Sequence, residues 1–143
     1  MSRNNEDRVK IMTRHEMREC TFCLLFQNEF YGTEEFTEQL ENYLAERALP
    51  DKDEKEIREK LDRLTEKLSV IDEKIAGNAK GWKLDRIAKA ELAILRLAIY
   101  EALYDENVPV GVAINEAVEL AKAYGDDNGA AFVNGILGKI VNE

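Results

Sequence analysis

The strongest constraint on the fold is the spacing of apolar residues in the middle of the chain. Between residues 57 and 75, apolar side chains recur every three or four positions, and the residues between them are mostly charged. This spacing places the apolar side chains on one face of an α-helix. Proline and serine each occur only twice, whereas the good helix formers Ala, Leu, Glu, Lys and Arg are abundant. We therefore predict an all-α protein without a β-sheet.

Capping and helix-breaking residues set the predicted helix boundaries. Thr13 followed by Glu16 is a capping box, in which each side chain can bond to the backbone N–H of the other residue. Gly125 is expected at the C′ position after a helix. The predicted helices span residues 14–30, 33–47, 51 to about 75, 84–105, 110–124 and an amphipathic segment around 132–140. The fourth is apolar nearly all round, so we expect the others to surround it.

Two glycines mark the clearest break in the chain. Gly77 and Gly81 flank the segment NAK at residues 78–80, and glycine commonly ends helices. We predict a flexible basic arm at residues 1–12, an N-terminal three-helix subdomain at 13–80 and a C-terminal helical subdomain at 81–143. A chain of 143 residues is long enough to form a core without metals or disulfides.

The net charge limits how the chain can bind nucleic acid. The formal charge is −9, so diffuse attraction to phosphate cannot be the main binding term for the molecule as a whole. Residues 1–18 carry five basic and three acidic side chains, so a basic start precedes an acidic body. Any nucleic-acid site must therefore be local.

Neither secretion nor membrane insertion is indicated. No apolar stretch follows the first basic residues, so we expect no secretory signal and a cytoplasmic protein. The most hydrophobic stretch, residues 84–104, contains six charged residues. It predicts a buried helix rather than a membrane span.

The residue types that usually carry catalysis or bind metals are sparse. His15 is the only histidine, and no nucleophilic serine motif or glycine-rich phosphate loop is present. Cys20 and Cys23 form a CxxC, but no second cysteine pair could complete a zinc site. His15 would lie about 140° from Cys20 around a helix. We expect reduced core cysteines, no enzyme activity, no cofactor and no metal.

Four segments of the C-terminal half have a distinctive order and spacing: ILRLAIYE at residues 94–101, VP at 108–109, AINEAVELAK at 113–122 and FVNGIL at 132–137. In these segments the chain resembles the NusB family of transcription antitermination factors, with weaker matches around Arg14, Ile71 and Trp82. The resemblance implies a NusB-like fold of two small helical bundles packed into one compact domain. It also implies binding of boxA-type RNA in nascent ribosomal RNA, together with the ribosomal protein NusE, in an antitermination complex with RNA polymerase.

A row of basic residues near the start of the first helix is the candidate RNA-binding site. Lys10, Arg14 and Arg18 are four residues apart, so if the helix begins early they stand about 6 Å apart along one side of it. Arg14 and Arg18 point about 130° away from the centre of the apolar face and are expected to be free for a partner. That face is formed by Met17, Cys20, Cys23 and Leu24. A solvated helix start is the alternative interpretation. The resemblance favours RNA contact, with modest affinity for the chain alone because Glu16 interrupts the cluster.

Aromatic residues extend the candidate site. Single-stranded RNA is commonly bound by stacking its bases on aromatic rings beside cations. Phe26, Tyr124 and Phe132 are the candidate rings, with core packing as the alternative for each, and Asn128 is a candidate for bonding a base edge. The resemblance places the loop at residues 125–129 near the RNA, and it places Glu91 on the surface that meets NusE.

Two charged residues lie in or beside the most apolar run of the chain. Arg96 and Glu101 would each be costly to bury without a partner. Asn115 and Glu116 are plausible partners for them. Such a network would be structural and says little about function.

A second function is compatible with the sequence. The chain could be a helical protein-interaction module that does not bind RNA. Self-association as a homodimer could then cover the arginine face of the first helix. The sequence alone leaves this alternative open.

Overall fold

Every element in the described part of the chain is helical, which confirms the predicted all-α fold. The structure is a computed structural model and describes residues 12–29, 33–79, 81 and 83–143. The predicted arm, including Lys10, lies outside these residues except for Met12. The elements are α1 (Arg14–Asn28), α2 (Thr33–Arg47), α3 (Asp51–Glu66), α4 (Leu68–Asn78), a short 3₁₀ helix (Leu84–Arg86), α5 (Lys89–Tyr104), α6 (Val110–Tyr124) and α7 (Gly129–Val141).

The start of α1 is capped as its sequence predicts. The Thr13 hydroxyl accepts the backbone N–H of Glu16 at 3.0 Å. The Glu16 carboxylate in turn accepts the backbone N–H of Thr13 at 2.9 Å. Both bonds satisfy N–H groups that have no partner inside the helix. The capping box is therefore confirmed, and it sets the first turn of α1.

The apolar stripe predicts one long third helix. This prediction is wrong, because one residue breaks the helix in two. Lys67 separates α3 from α4, with φ −99° and ψ 1°. Its N–H bonds to the carbonyl of Leu64, three residues back, and its own carbonyl accepts the N–H of Ile71. A single tight turn of this kind keeps neighbouring apolar residues at a spacing of three or four. Periodicity therefore cannot reveal the break.

The predicted fourth helix also begins later than expected. Leu84–Arg86 forms a 3₁₀ turn, and Ile87 and Ala88 then adopt extended backbone before α5 begins. The prediction of a helix from residue 84 is wrong in its first turn. Ile87 is buried, so this short connection places an apolar side chain in the interior without being part of the helix.

Contacts between Cα atoms divide the chain into two compact units, Met1–Asp62 and Arg63–Glu143. The division falls inside α3, earlier than the joint predicted at residue 80. It assigns α4 to the second unit because α4 packs against α5 and α7. Ile71 and Ile75 of α4 are fully buried.

The first unit is built around α1. This helix packs against α2, and Phe22, Leu24 and Leu44 are almost fully buried. Cys20 is buried and Cys23 half-buried, both as free thiols. Burial raises the pKa of the Tyr43 hydroxyl, and its hydrogen bond with Cys20 raises it further. The two cysteines therefore belong to the packing of α1 on its neighbour.

The second unit is built around α5, which contacts α4, α6 and α7. Its residues from Glu91 to Leu95 and from Leu97 to Glu101 are buried, as the apolar character of this segment predicts. Arg96 forms two bonds to the carboxylate of Asp72 on α4, at 2.9 and 3.0 Å. The sequence suggests Asn115 and Glu116 as partners and gives no sign of Asp72.

In the part of the chain that the structure describes, no helix is both long enough and apolar enough to cross a bilayer.

Candidate nucleic-acid interface

Of the two predicted RNA-binding cations that the structure describes, the more exposed lies in the first turn of α1. The Arg14 side chain is 76% exposed and forms an ion pair with Glu56 of α3. Just before the helix, the backbone N–H of Met12 bonds to Asp53 of α3 at 3.3 Å. Two acidic residues of α3 thus hold the start of α1. Arg14 remains accessible to a ligand that can compete with Glu56.

Arg18 occupies a different environment from Arg14. Only 8% of Arg18 is exposed, so the expectation that it is free for a partner is wrong. The structure buries Thr21, Phe22 and Leu25 of α1 as well as Met17, which rotates the buried face of the helix towards Arg18. The sequence pattern instead predicts a buried face centred near Cys20 and Cys23, away from Arg18. A long arginine stem can line such a face while its guanidinium is satisfied nearby.

Phe26 lies near the end of α1 and is half-buried. Its ring is stacked on that of Phe22, with centroids 6.0 Å apart and an interplanar angle of 19°. Phe22 is itself almost fully buried. The Phe26 ring therefore takes part in packing, as the alternative interpretation expects. A base could stack only on the part of the ring that remains exposed.

The loop between α6 and α7 brings together the other predicted residues. Tyr124 at the end of α6 is 43% exposed, Asn128 is exposed and Phe132 is half-buried. The side chain of Asn128 makes no bond to the first turn of α7. This loop therefore presents two aromatic rings and an amide within nine residues of chain, the groups that base stacking and base-edge bonding require.

Hydrogen bonds donated by backbone N–H groups give this loop a defined conformation. The Asp126 carboxylate accepts the N–H of Asn128 at 3.1 Å, a local turn typical of aspartate. The carbonyl of Asp126 accepts the N–H of Gly129 at 3.0 Å, and the carbonyl of Asn128 accepts the N–H of Phe132 at 3.0 Å. The loop therefore leads directly into the first turn of α7.

Glu91 of α5 lies beneath the loop. It is only 5% exposed, and its Oε2 accepts the backbone N–H of Asp126 at 3.2 Å. Burial raises the pKa of Glu91; the hydrogen bond from the Asp126 N–H opposes this, whereas the Asp126 carboxylate adds to it. Its carboxylate is thus an internal support of the loop.

Two glycines make room for the Glu91 carboxylate. A Cβ on Gly129 would lie 2.6 Å from Glu91 Oε2, and one on Gly125 would lie 3.0 Å from it and 2.8 Å from the carbonyl oxygen of Ala121. Gly125 does not adopt the left-handed backbone expected at a C′ position, since its φ is −89°. Close approach, rather than backbone freedom, is what requires glycine here.

The predicted residues thus form two groups. Arg14, Arg18 and Phe26 lie on α1 in the first unit, and only Arg14 among them is highly exposed. Tyr124, Asn128 and Phe132 surround one loop in the second unit. Sequence reasoning missed the supporting roles of Glu56, Asp126 and Gly129. The pair of glycines enclosing an Asp-rich loop was a signal for the last two, but no local pattern pointed to Glu56.

Comparison with known proteins places the whole arrangement in a family. The family model described as the NusB family matches residues 15–142. The chain belongs to the NusB family. The transcription antitermination protein NusB of Lachnoclostridium phytofermentans is 47% identical over 133 residues, which are 92% of this chain and 100% of the relative. The predicted family is therefore confirmed.

Solved structures of NusB proteins share the fold. The structure of T. maritima NusB has a TM-score of 0.83 and 37% sequence identity, over 94% of each chain. A structure of the antitermination factors NusB and NusE in complex with dsRNA has a TM-score of 0.75 over 92% of this chain and 98% of that chain. Its identity is 24%, so this second likeness shows the fold alone. The predicted NusB-like fold is confirmed by the first.

The family also decides the question of catalysis. The matching family and the curated relative are transcription antitermination proteins. The prediction that this NusB-family chain is not an enzyme is confirmed by that assignment.

Proposed function

We propose that this chain is a transcription antitermination factor that binds boxA-type RNA in nascent ribosomal RNA transcripts together with NusE. The observation that carries the proposal is its similarity, along nearly its whole length, to a transcription antitermination protein. In this role it would join the RNA polymerase antitermination complex in the cytoplasm and promote processive transcription of ribosomal RNA.

The loop between α6 and α7 supports RNA as the ligand. Tyr124 is 43% exposed, and Asn128 has an exposed side chain that does not cap α7. Base stacking on aromatic rings is tolerant of sequence, whereas an amide can select a base edge. This combination suits single-stranded RNA better than a duplex, whose bases are already stacked.

The charge distribution supports a weak electrostatic contribution. The net charge is −9, and Arg14 is the only highly exposed cation among the predicted RNA-binding residues that the structure describes. A protein that makes few phosphate contacts shows a shallow dependence of affinity on salt. We therefore expect weak binding of RNA by the chain alone and a marked gain with NusE.

The assignment of individual partner residues stays a prediction. Lys10, Arg14, Arg18, Phe26, Tyr124, Asn128 and Phe132 are proposed for RNA, whereas the placement of Glu91 on the NusE surface is an expectation from the family resemblance. Burial of Glu91 leaves little of its side chain for a partner. A homodimer also stays a prediction.

The proposal is tested by titrating labelled boxA RNA with the protein, alone and with NusE, and following fluorescence anisotropy at two salt concentrations. A scrambled RNA of the same length and composition is the control for sequence. We expect NusE to tighten binding to boxA but not to the scrambled RNA. Equal binding of both RNAs, or no binding of either, would count against the antitermination role and favour the protein-interaction alternative.

A further inference from the structure

The Glu91 side chain is a buried acid that bonds to the loop above it. Carboxylates are rarely buried unless hydrogen bonds or charges compensate for the lost hydration. The compensation that the structure provides is the backbone N–H of Asp126, at 3.2 Å from Oε2. The acid thus bonds to the backbone of the loop rather than to another side chain of α5.

The glycines at the two ends of the loop make this contact specific. At Gly129, a Cβ would come within 2.6 Å of Oε2 and within 3.1 Å of the carboxylate carbon of Glu91. By contrast, Gly135 and Gly138 of α7 have no atom within 4 Å of the position of an added Cβ. A Cβ at Gly129 would therefore displace the Glu91 carboxylate, whereas a Cβ at these other positions of the same helix would meet nothing.

The residues proposed for RNA binding are adjacent to this contact. Tyr124 immediately precedes Gly125, and Asn128 immediately precedes Gly129. Phe132 lies in the first turn of α7, and its N–H bonds to the carbonyl of Asn128. A change in the loop backbone would therefore move the amide of Asn128 and change the spacing between the two rings.

We propose that Glu91 is a positioning residue: it holds the loop at residues 125–129 in the conformation that presents Tyr124, Asn128 and Phe132 to RNA. The inference rests on the proposed RNA-binding function and assigns Glu91 a role within it. This positioning role differs from a direct contact with NusE, because Glu91 is only 5% exposed and offers a partner little surface. The raised pKa of Glu91 agrees with a carboxyl group enclosed by the loop.

The test compares matched substitutions in the full chain. Glu91→Ala removes the acceptor of the Asp126 N–H, whereas Glu91→Gln keeps an oxygen that can accept it. Gly129→Ala places a Cβ against the carboxylate, and Gly135→Ala makes the same change in the same helix where there is space. For each variant, boxA affinity is measured in the presence of NusE, and NusE affinity is measured without RNA. Hydrogen exchange of the Asp126 backbone amide measures whether its bond to residue 91 is kept, and circular dichroism verifies folding.

We expect Glu91→Ala and Gly129→Ala to weaken RNA binding by about tenfold, the equivalent of one well-placed hydrogen bond. Both should accelerate exchange of the Asp126 amide. Glu91→Gln and Gly135→Ala should bind RNA within about twofold of the unchanged protein. All four should keep their affinity for NusE. The double variant Glu91→Ala/Gly129→Ala should bind RNA like Glu91→Ala alone, because the added Cβ then meets no carboxylate.

Three results would overturn the inference. If Asp126 exchanges faster in Glu91→Ala and Gly129→Ala but RNA affinity is unchanged, the loop conformation does not matter for RNA, although the proposed function stands. If Glu91→Gln and Glu91→Ala lose NusE affinity equally, Glu91 is a contact residue for NusE. If the unchanged protein binds no boxA RNA even with NusE, the proposed function fails and the inference fails with it. Because Glu91→Ala could be too unstable to measure, the pair Gly129→Ala and Gly135→Ala tests the same contact independently.

Discussion

Arg14 at the start of α1 is ion-paired with Glu56 of α3, and 76% of the arginine side chain and 41% of the glutamate side chain remain exposed. An exposed pair of this kind contributes little to folding stability. It does, however, place a carboxylate where an RNA phosphate would bind Arg14. Glu56 is therefore expected to compete with RNA for this cation.

Replacing Glu56 with glutamine should tighten RNA binding by about two- to threefold, because exposed ion pairs contribute roughly 0.2–1 kcal/mol. The measurement is the anisotropy titration with boxA RNA and NusE at low salt. Glu59→Gln is the matched control, since Glu59 is an exposed residue of the same helix and the change in net charge is the same. An equal gain in both variants would mean that only the overall charge matters.

Replacing Tyr124 with alanine should weaken RNA binding by about tenfold, because stacking of one base on an aromatic ring contributes roughly 1–3 kcal/mol. The stability of the protein should change little, since Tyr124 is 43% exposed. Val112→Ala is a suitable control because Val112 is equally exposed on the same helix. Titrations and thermal unfolding of both variants make the comparison. Unchanged RNA affinity would remove Tyr124 from the proposed site.

Replacing Asp72 with alanine should destabilise the protein by roughly 2 kcal/mol, because it removes the two charge-assisted hydrogen bonds that the largely buried Arg96 makes to this carboxylate. The Arg96 and Asp72 side chains are 13% and 22% exposed. Urea unfolding measures the loss, with Glu73→Ala of the same helix as an exposed control. RNA affinity should be retained well below the unfolding transition. A loss of stability no larger than in the control would show that this ion pair contributes nothing net.

Replacing Glu91 with glutamine should alter how stability depends on pH. Burial raises the pKa of Glu91 above the ordinary value of 4.5, so the folded state favours the protonated acid. Its contribution to stability is fully present below the pKa of the unfolded state and is lost as pH rises through the folded-state pKa. Glutamine cannot ionise, so the variant should gain stability relative to the unchanged protein as the pH rises above 4.5.

Urea unfolding at several pH values from 4.5 upwards measures the gain in stability of Glu91→Gln. Glu119→Gln is the control, because Glu119 is an exposed glutamate and its replacement changes the net charge equally. If the difference in the free energy of unfolding between Glu91→Gln and the unchanged protein is constant with pH, Glu91 does not titrate differently in the folded state.

Two glycine substitutions should change stability in opposite directions. Gly138→Ala should stabilise the protein by up to about 1 kcal/mol, because alanine favours helix and the added Cβ meets nothing within 4 Å. Gly125→Ala should destabilise it, because its Cβ would lie 2.8 Å from the carbonyl oxygen of Ala121. Thermal unfolding of the two variants measures both effects. A neutral Gly125→Ala would show that the loop can move aside at little cost.

Local features of the sequence predicted most of the helices. Both hydrogen bonds of the capping box of Thr13 and Glu16 were confirmed. Helix α6 begins after Pro109 and ends before Gly125, as these two residues indicated. These signals act between residues up to four positions apart, so they can be found by inspection. The break at Lys67 could not be found in this way, because the apolar stripe continues through it with an unaltered spacing.

By itself, the sequence determined the helical class, most helix ends and membership of the NusB family, since periodicity, caps and family segments are all local patterns. Only the tertiary structure decided which of the candidate residues are accessible. It buried Arg18, paired Arg14 with Glu56 at a separation of 42 residues, and placed Glu91 beneath Asp126 at a separation of 35 residues. The physical reason is that burial and ion pairing depend on which helix faces lie opposite one another, and spacing along a single helix does not specify its neighbours.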